Sequence, residues 1–242
     1  MRVAVVSDIH ANYHALEAVL AEVTAEAPDE VWCLGDVVGY GPDPNRCCEL
    51  VRDCADLCLA GNHDLAVLGR LRLEDFNDDA AAAARWTQSV LSDESRDFLE
   101  GLEPRARRAD VALVHGSPLD PVWDYVLSEE GARRSLELVS EPLLLVGHSH
   151  VALRIRSAGG TLSGGLGVAG DEIDLNSGRW LLNPGSVGQP RAGDPRAAWL
   201  LLDLDAGRAW FRRTVYAIAS TQAGVRAAGL PEALAVRLAL GQ

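Results

Sequence analysis

Apolar residues along this chain fall into short runs, and the runs stop at unusual polar residues. Val3 to Val6 ends at Ser7-Asp8-Ile9-His10, Val31 to Leu34 at Gly35-Asp36, and Leu57 to Ala60 at Gly61-Asn62-His63-Asp64. Continuous runs of four, as opposed to alternating ones, predict strands buried on both faces. Between the first two, Ala15, Leu16, Val19, Leu20 and Val23 recur at helical spacing. Pro44 to Arg52 predicts a short helix with proline in its first turn. Strand, helix, strand, helix, strand within about sixty residues implies parallel crossovers.

The theme then returns. Val111 to Val114 ends at His115-Gly116, and Leu143 to Val146 ends at Gly147-His148-Ser149-His150, with a helical pattern from Glu130 to Val139 between them. Residues 78–101 predict a helical insert: Asp78 to Leu91 is alanine-rich, and Ser92 stands as the N-cap of a second short helix ending near Gly101. Beyond Val151, glycine pairs punctuate short segments. Asn183-Pro184-Gly185-Ser186 predicts a tight turn. Ala198 to Leu204 and Ala209 to Tyr216 predict an antiparallel pair around Asp205-Ala206-Gly207. Residues 217–242 predict a helical tail split by Gly229 and Pro231, whose Leu230, Leu234 and Leu238 are open to docking on the core, covering the site or making a dimer contact, with core docking the default. The pattern reads as one domain over 1–242 with two sheets, an α/β fold.

Composition narrows the function. At 242 residues and 48% hydrophobic, the chain can bury a sizeable core, and no apolar run reaches the length of a membrane span. The short apolar start is a strand and not a signal peptide, so a cytoplasmic protein is expected. A net charge of −13 argues against broad nucleic-acid binding. A small phosphorylated substrate stays compatible with that charge if cations sit locally. All 22 basic residues are arginine, which excludes Schiff-base chemistry and the lysine of a P-loop. The five cysteines lie in the first quarter without a C-x-x-C pair, and read as free thiols. A homo-oligomer is left open.

The candidate chemistry lies where the apolar runs stop. Five of the six histidines sit at such ends, His14 being the exception, and ligand sites of α/β sheets gather beyond the carboxyl ends of strands. Imidazoles, carboxylates and a carboxamide, without a thiolate, favour divalent Mn, Fe, Zn, Co or Ni. The donors outnumber what one tetrahedral ion needs. They suit two ions sharing a bridging carboxylate, typically ~3.5–4 Å apart, an arrangement that hydrolyses phosphate esters.

The order D-x-H (Asp8, His10), G-D (Gly35, Asp36), G-N-H-D (Gly61 to Asp64), H-G (His115, Gly116) and G-H-x-H (Gly147 to His150) resembles the calcineurin-like metallophosphoesterase superfamily. Gly35 to Pro42, with "GYGP", and Asn183 to Arg191, with "GQPR", resemble its compact bacterial and archaeal phosphodiesterase branch. The resemblance implies a four-layer α/β-β/α sandwich of two mixed sheets flanked by helices, with a dimetal site at the strand ends. It implies that Asp8, His10 and His150 bind one ion, Asn62, His115 and His148 the other, and that Asp36 bridges them. Mn is the first choice of metal. A metal-bridging hydroxide would attack a small phosphate ester, a diester first, with His63 contacting the phosphate or protonating the leaving group. Asp64 would orient His63, or simply cap the following helix.

Tyr40 stands where phosphoprotein phosphatases and symmetrical diadenosine tetraphosphate hydrolases usually carry a phosphate-binding arginine, which counts against both substrates. Tyr13, Tyr40 and Arg191 are the candidate substrate contacts, each with a plain packing or solvated-loop reading beside it. The acid pairs Asp78-Asp79 and Glu129-Glu130 read as helix-start charges. Two alternatives accompany the enzyme: a phosphoprotein phosphatase, and a non-catalytic, metal-binding interaction scaffold of the same fold. The scaffold lineage loses the catalytic histidine, whereas His63 is present here.

Overall fold

The apolar runs become the parallel halves of two six-stranded sheets. The computed structural model describes residues 1–242. Strands β1 (Arg2–Val6), β2 (Glu30–Cys33) and β3 (Leu57–Cys58) run parallel, connected through helices α1 (Tyr13–Glu26) and α2 (Pro44–Cys54). A short helix α3 (Asn62–Val67) follows, then the expected pair α4 (Asp78–Val90) and α5 (Asp93–Glu100). Asn77 and Ser92 cap that pair, accepting from Ala80 N at 3.0 Å and Ser95 N at 3.2 Å.

The second sheet takes β4 (Arg105–Arg108), β5 (Val111–Val114), β6 (Leu143–Val146), β7 (Leu153–Ala158) and β8 (Thr161–Leu166), with α6 (Glu129–Glu137) linking β5 to β6. β9 (Glu172–Asp174) crosses back to the first sheet, and β10 (Arg179–Asn183) returns to the second, parallel to β6. β11 (Ala197–Asp203) and β12 (Arg208–Thr214) form the expected antiparallel pair beside β1. The tail is α7 (Ile218–Ala227) and α8 (Glu232–Leu240). The spatial orders are β3-β2-β1-β11-β12-β9 and β4-β5-β6-β10-β7-β8.

Strand periodicity sorts the core into layers. Val3 and Val5 face the second sheet and pack with Trp32, Leu113, Leu145 and Leu200, while Ala4 and Val6 face outward onto Leu16, Val19, Val51 and Trp199. On the far side, Ala112, Val114, Leu144 and Val146 pack on Ala132 and Leu136 of α6. The result is the four-layer α/β-β/α sandwich. The tail docks as expected: Val225, Leu230 and Leu234 pack on Tyr40 and on Ala80 and Ala83 of α4. No helix is long and apolar enough to cross a membrane.

Two details depart from the sequence pattern. The third apolar run predicts a strand to Ala60, but pairing stops at Cys58 because Leu59 bridges Glu103 and the Ala60 amide donates to the Glu103 carbonyl at 2.9 Å. Arg179–Asn183 is a central strand, placed between β6 and β7 by pairings far apart in sequence.

Leu145 is fully buried between the sheets. Leu145→Ala should destabilise the fold by ~2–5 kcal/mol, the range for deleting a buried leucine side chain. A denaturant titration of the two proteins checks it, and a loss under ~1 kcal/mol would show that the interface can collapse around the gap.

Candidate metal centre

The carboxyl ends of β1, β2 and β3 meet those of β5 and β6 where the two sheets abut. The backbone there is unusual. Of nine non-glycine residues with positive φ, seven lie in these ends: Asp8 (54°), His10 (50°), Ala11 (50°), Asp36 (53°), Tyr40 (57°), His148 (62°) and His150 (59°). A left-handed L-residue costs about 1–2 kcal/mol. What it gains here is direction, since each curls the chain so that side chains two apart reach one centre. Backbone hydrogen bonds hold the curl: Asp8 N donates to Gly35 O and His10 N to Asp36 O, both at 2.9 Å. The Asn183-to-Arg191 stretch buttresses it from the other sheet. Ser186 Oγ and Gly188 N donate to Asp8 O at 2.7 and 3.0 Å, and Asn183 donates to Gly147 O at 2.7 Å.

Two donor groups result. Ligand atoms of Asp8, His10, Asp36 and His150 lie within 4.8 Å of one another, and those of Asp36, His115 and His148 do likewise. Asp36 belongs to both: its Oδ2 stands 3.6 Å from His10 Nε2 and 3.5 Å from His115 Nε2. Asn62 joins the second group, with Oδ1 3.3 Å from His115 Nε2. All seven residues are buried.

The hydrogen bonds around these groups select the atoms that face inward. The Nδ1–H groups of His10, His115 and His150 donate to the carbonyls of Val38, Leu34 and Gln189 at 3.2, 2.8 and 2.7 Å. His148 donates from Nε2 to the Trp123 carbonyl at 3.3 Å. Each neutral imidazole has then spent its one proton, leaving a lone pair directed at the cluster. His10 and His150 oppose their Nε2 atoms at 2.9 Å, a repulsive contact unless a cation or proton lies beside them. Asp8 Oδ2 and Asp36 Oδ2 are buried without a partner. Facing lone pairs and orphaned carboxylate oxygens, in two groups sharing one carboxylate, fit a pair of divalent ions.

Ionisation follows burial. Desolvation pushes Asp8 up to about 7, with His115 opposing and Asp36 adding to the shift. Desolvation, then the neighbouring Asp64 charge, holds Asp36 well above the usual carboxylate range. Burial lowers His10, His63, His148 and His150, His63 to about 3 and His148 to about 2. All four imidazoles are uncharged near neutrality, as the three in the donor groups (His10, His148 and His150) must be to take a cation.

His63 stands beside both groups and belongs to neither. Its ring meets His10 edge-on at 4.8 Å, and its buried Nδ1 has no partner. Gly39 closes over that ring, where any Cβ would fall 2.5 Å from Nδ1. Asp64 corrects an expectation, because it does not hold the imidazole. Its oxygens accept from Val38 N at 3.0 Å and Gly61 N at 2.9 Å, while Asp36 Oδ1 accepts from His63 N at 2.8 Å. Asp64 acts through the backbone, closing half of a capping box on Gly61 and tying the β2 and β3 ends together. Gly61 is required at that junction, since a Cβ would stand 2.0 Å from Asp36 Oδ1.

The substrate candidates separate. Tyr40 is in the site, with its ring 4.7 Å from that of His10 and 4.4 Å from that of His63. Arg191 is at its edge, donating to Gln189 Oε1 at 2.8 Å and to Tyr40 Oη at 3.4 Å. Tyr13 is engaged elsewhere: Arg46 stacks 3.4 Å over its ring, and its hydroxyl donates to Glu17 at the next turn of α1. His14 stays apart, half-buried beside Tyr13. The acid pairs occupy the first turns of α4 and α6, as expected.

Three aromatic side chains near the histidines went unrecognised in the sequence. Tyr125 stacks on His148 at 3.9 Å, Phe76 meets His63 at 5.3 Å, and Trp123 packs on Phe76 at 4.9 Å. The available signal was scarcity: in a chain that is 5% aromatic, Trp123 and Tyr125 lie close together after the His115-Gly116 motif.

Residues 1–207 match the calcineurin-like phosphoesterase superfamily domain. The chain is 36% identical over 247 residues to an uncharacterised protein of Methanocaldococcus jannaschii, covering 99% of this chain and 98% of that one. A metallophosphoesterase from Sphaerobacter thermophilus has a crystal structure that superposes with a TM-score of 0.91 at 44% identity, covering 100% of this chain and 99% of the other. A shorter match, 39% identical over 138 residues, is to a symmetrical bis(5′-nucleosyl)-tetraphosphatase of Erwinia tasmaniensis, and covers 53% of this chain and 48% of that protein. The chain belongs to the calcineurin-like phosphoesterase superfamily and is a phosphoric ester hydrolase whose buried donors fit a two-metal site.

Proposed function

We propose that this protein hydrolyses a small phosphate ester, a phosphodiester ahead of a monoester. Asp8, His10 and His150 would hold one divalent ion, Asn62, His115 and His148 the other, with Asp36 Oδ2 between them. The mixed imidazole, carboxylate and carboxamide donors suit Mn, Fe, Zn, Ni or Co, and Mn is the ion proposed. When bound, such ions neutralise phosphoryl charge and lower the pKa of water. All five cysteines are free, which accords with a reducing, cytoplasmic location.

The observation that carries an enzymatic reading is His63: a buried imidazole at the metal groups and not needed by them. Burial and the nearby Arg191 charge keep it neutral without substrate. A phosphate anion alongside raises an imidazole's pKa, which favours holding a proton and passing it to a departing alkoxide or aryloxide. Gly39 covers Nδ1, so Nε2 is the nitrogen left for that task. Asp64 would fix the loops that carry His63 and Asp36, a positioning role. Tyr40 and Phe76 both touch the His63 ring and suit an organic substituent on the ester. Arg191 supplies a guanidinium for a phosphoryl oxygen.

Two measurements test this reading. His63→Ala should cut kcat toward an activated aryl phosphodiester at least about 100-fold. Mn binding, followed by titration calorimetry, should persist in that variant. Unchanged kcat, or no hydrolysis of any mono- or diester by the Mn-loaded protein, would remove the proposal.

Metal affinity should also depend on pH in a defined direction. Burial raises Asp8 to about 7, so below that pH a proton must leave before the carboxylate can take a cation. Mn affinity is expected to rise between about pH 6 and 8, with proton release on the acid side. Calorimetry in buffers of different ionisation enthalpy reads that release. An affinity that is flat across the range would show that Asp8 is already ionised there in the metal-free protein.

A further inference from the structure

The C-terminal helix brings a second guanidinium to the same aromatic ring. Arg191 Cζ lies 5.9 Å from the Tyr40 ring centroid and Arg237 Cζ, on α8, lies 6.0 Å from it. Both residues are half-buried, and neither forms an ion pair. Other arginines of the chain are also without an ion pair; what sets these two apart is that both guanidinium groups lie against Tyr40, whose ring touches His10 and His63. The neighbouring Arg226, for comparison, pairs with Glu232 at 2.7 Å. A half-buried guanidinium with five donors and no acceptor is a candidate anion contact.

The placement orders the two cations. Arg191 sits close enough for its charge to act on Asp8, Asp36 and the site imidazoles. Arg237 reaches the same Tyr40 ring from α8, and that ring in turn lies 4.7 Å from His10 and 4.4 Å from His63. Leu234 and Leu238 of α8 line a small crevice of about 10 Å³ with His10, Tyr40 and Gln189, which places the helix that carries Arg237 against the donor cluster. α8 also lies beyond the residues 1–207 matched by the family domain.

We infer that Arg237 selects substrates carrying a second anionic group beyond the phosphate being hydrolysed, with Arg191 nearer the reacting phosphate. The substrate class is then an organic phosphate with a further phosphate or phosphoanhydride, not a simple singly charged diester. This rests on the phosphoesterase reading above for which phosphate reacts, but the anion contact can be measured without turnover.

AMP and ADP differ by one phosphate and serve as probes. Each would be tested as a competitive inhibitor of bis(p-nitrophenyl) phosphate hydrolysis at fixed free Mn. ADP should inhibit at a concentration at least about tenfold below AMP, as expected for one added charge-assisted contact. In Arg237→Gln that ratio should fall to near one, whereas Arg226→Gln should keep it. Arg237→Met retains the apolar stem of the side chain and replaces the glutamine variant if that one fails to fold. Equal inhibition by AMP and ADP in the unaltered protein, or a ratio preserved in a folded Arg237 variant, overturns the assignment. Should no ester be hydrolysed, the phosphoesterase reading falls. Calorimetric titration of AMP and ADP into the Mn-loaded protein then decides Arg237 by the same ratio.

Discussion

Burying carboxylates and imidazole lone pairs against one another is the constraint on which this structure depends. Asp8 and Asp36 are sealed from water with an oxygen each unpartnered, and two neutral imidazoles oppose nitrogens at 2.9 Å. Such an arrangement is unfavourable by itself, and positive charge is what relieves it. The surroundings are built to hold it regardless. Left-handed residues aim the side chains, carbonyls of three different segments fix the imidazole tautomers, and glycines at positions 39 and 61 leave room where a methyl group would collide.

The two sheets divide this work. From the first come the carboxylates of Asp8 and Asp36, with His10, Asn62 and His63; the second brings His115, His148 and His150. Neither sheet alone completes a donor group, because His150 must reach Asp8 and His115 must reach Asp36 across the interface. The apolar packing of Val3, Val5, Trp32, Leu113 and Leu145 between the sheets is thereby coupled to the chemistry, since it sets the distance between the halves of the site. The helical tail enters the same economy of contacts through Tyr40, which is at once a core residue under α7 and α8 and a wall beside His10 and His63.

His63 and Asp64 show how neighbouring motif residues part company. Asn62, His63 and Asp64 open α3, and successive residues of a first helical turn point in different directions. Asn62 turns to His115, His63 to His10 and Tyr40, and Asp64 back to the amides of Val38 and Gly61. The carboxylate next to the His63 imidazole in sequence is thus spent on backbone amides, and the imidazole stays free of it.

Much of the fold and most of the donor set were legible in the amino-acid sequence. A buried parallel strand must be continuously apolar, so its end is marked by the first polar residue, and here those residues carry the chemistry. The repeated texture of Val3–Val6, Val31–Leu34, Val111–Val114 and Leu143–Val146 therefore indicated both the sheets and their functional edge. Local rules sufficed for the cap at Ser92 and for the hairpin at Gly207. Other features depend on segments distant in the chain, which no local pattern encodes. The central position of Arg179–Asn183, the direction of Asp64, the diversion of Tyr13 to Arg46, and the aromatic wall of Phe76, Trp123 and Tyr125 are of that kind. So is the meeting of Arg191 and Arg237 at Tyr40, because only packing of the tail against the strand ends brings those side chains to one ring. Residue type and spacing determined which chemistry the chain could perform; tertiary packing decided which of those residues face the same few ångströms of space.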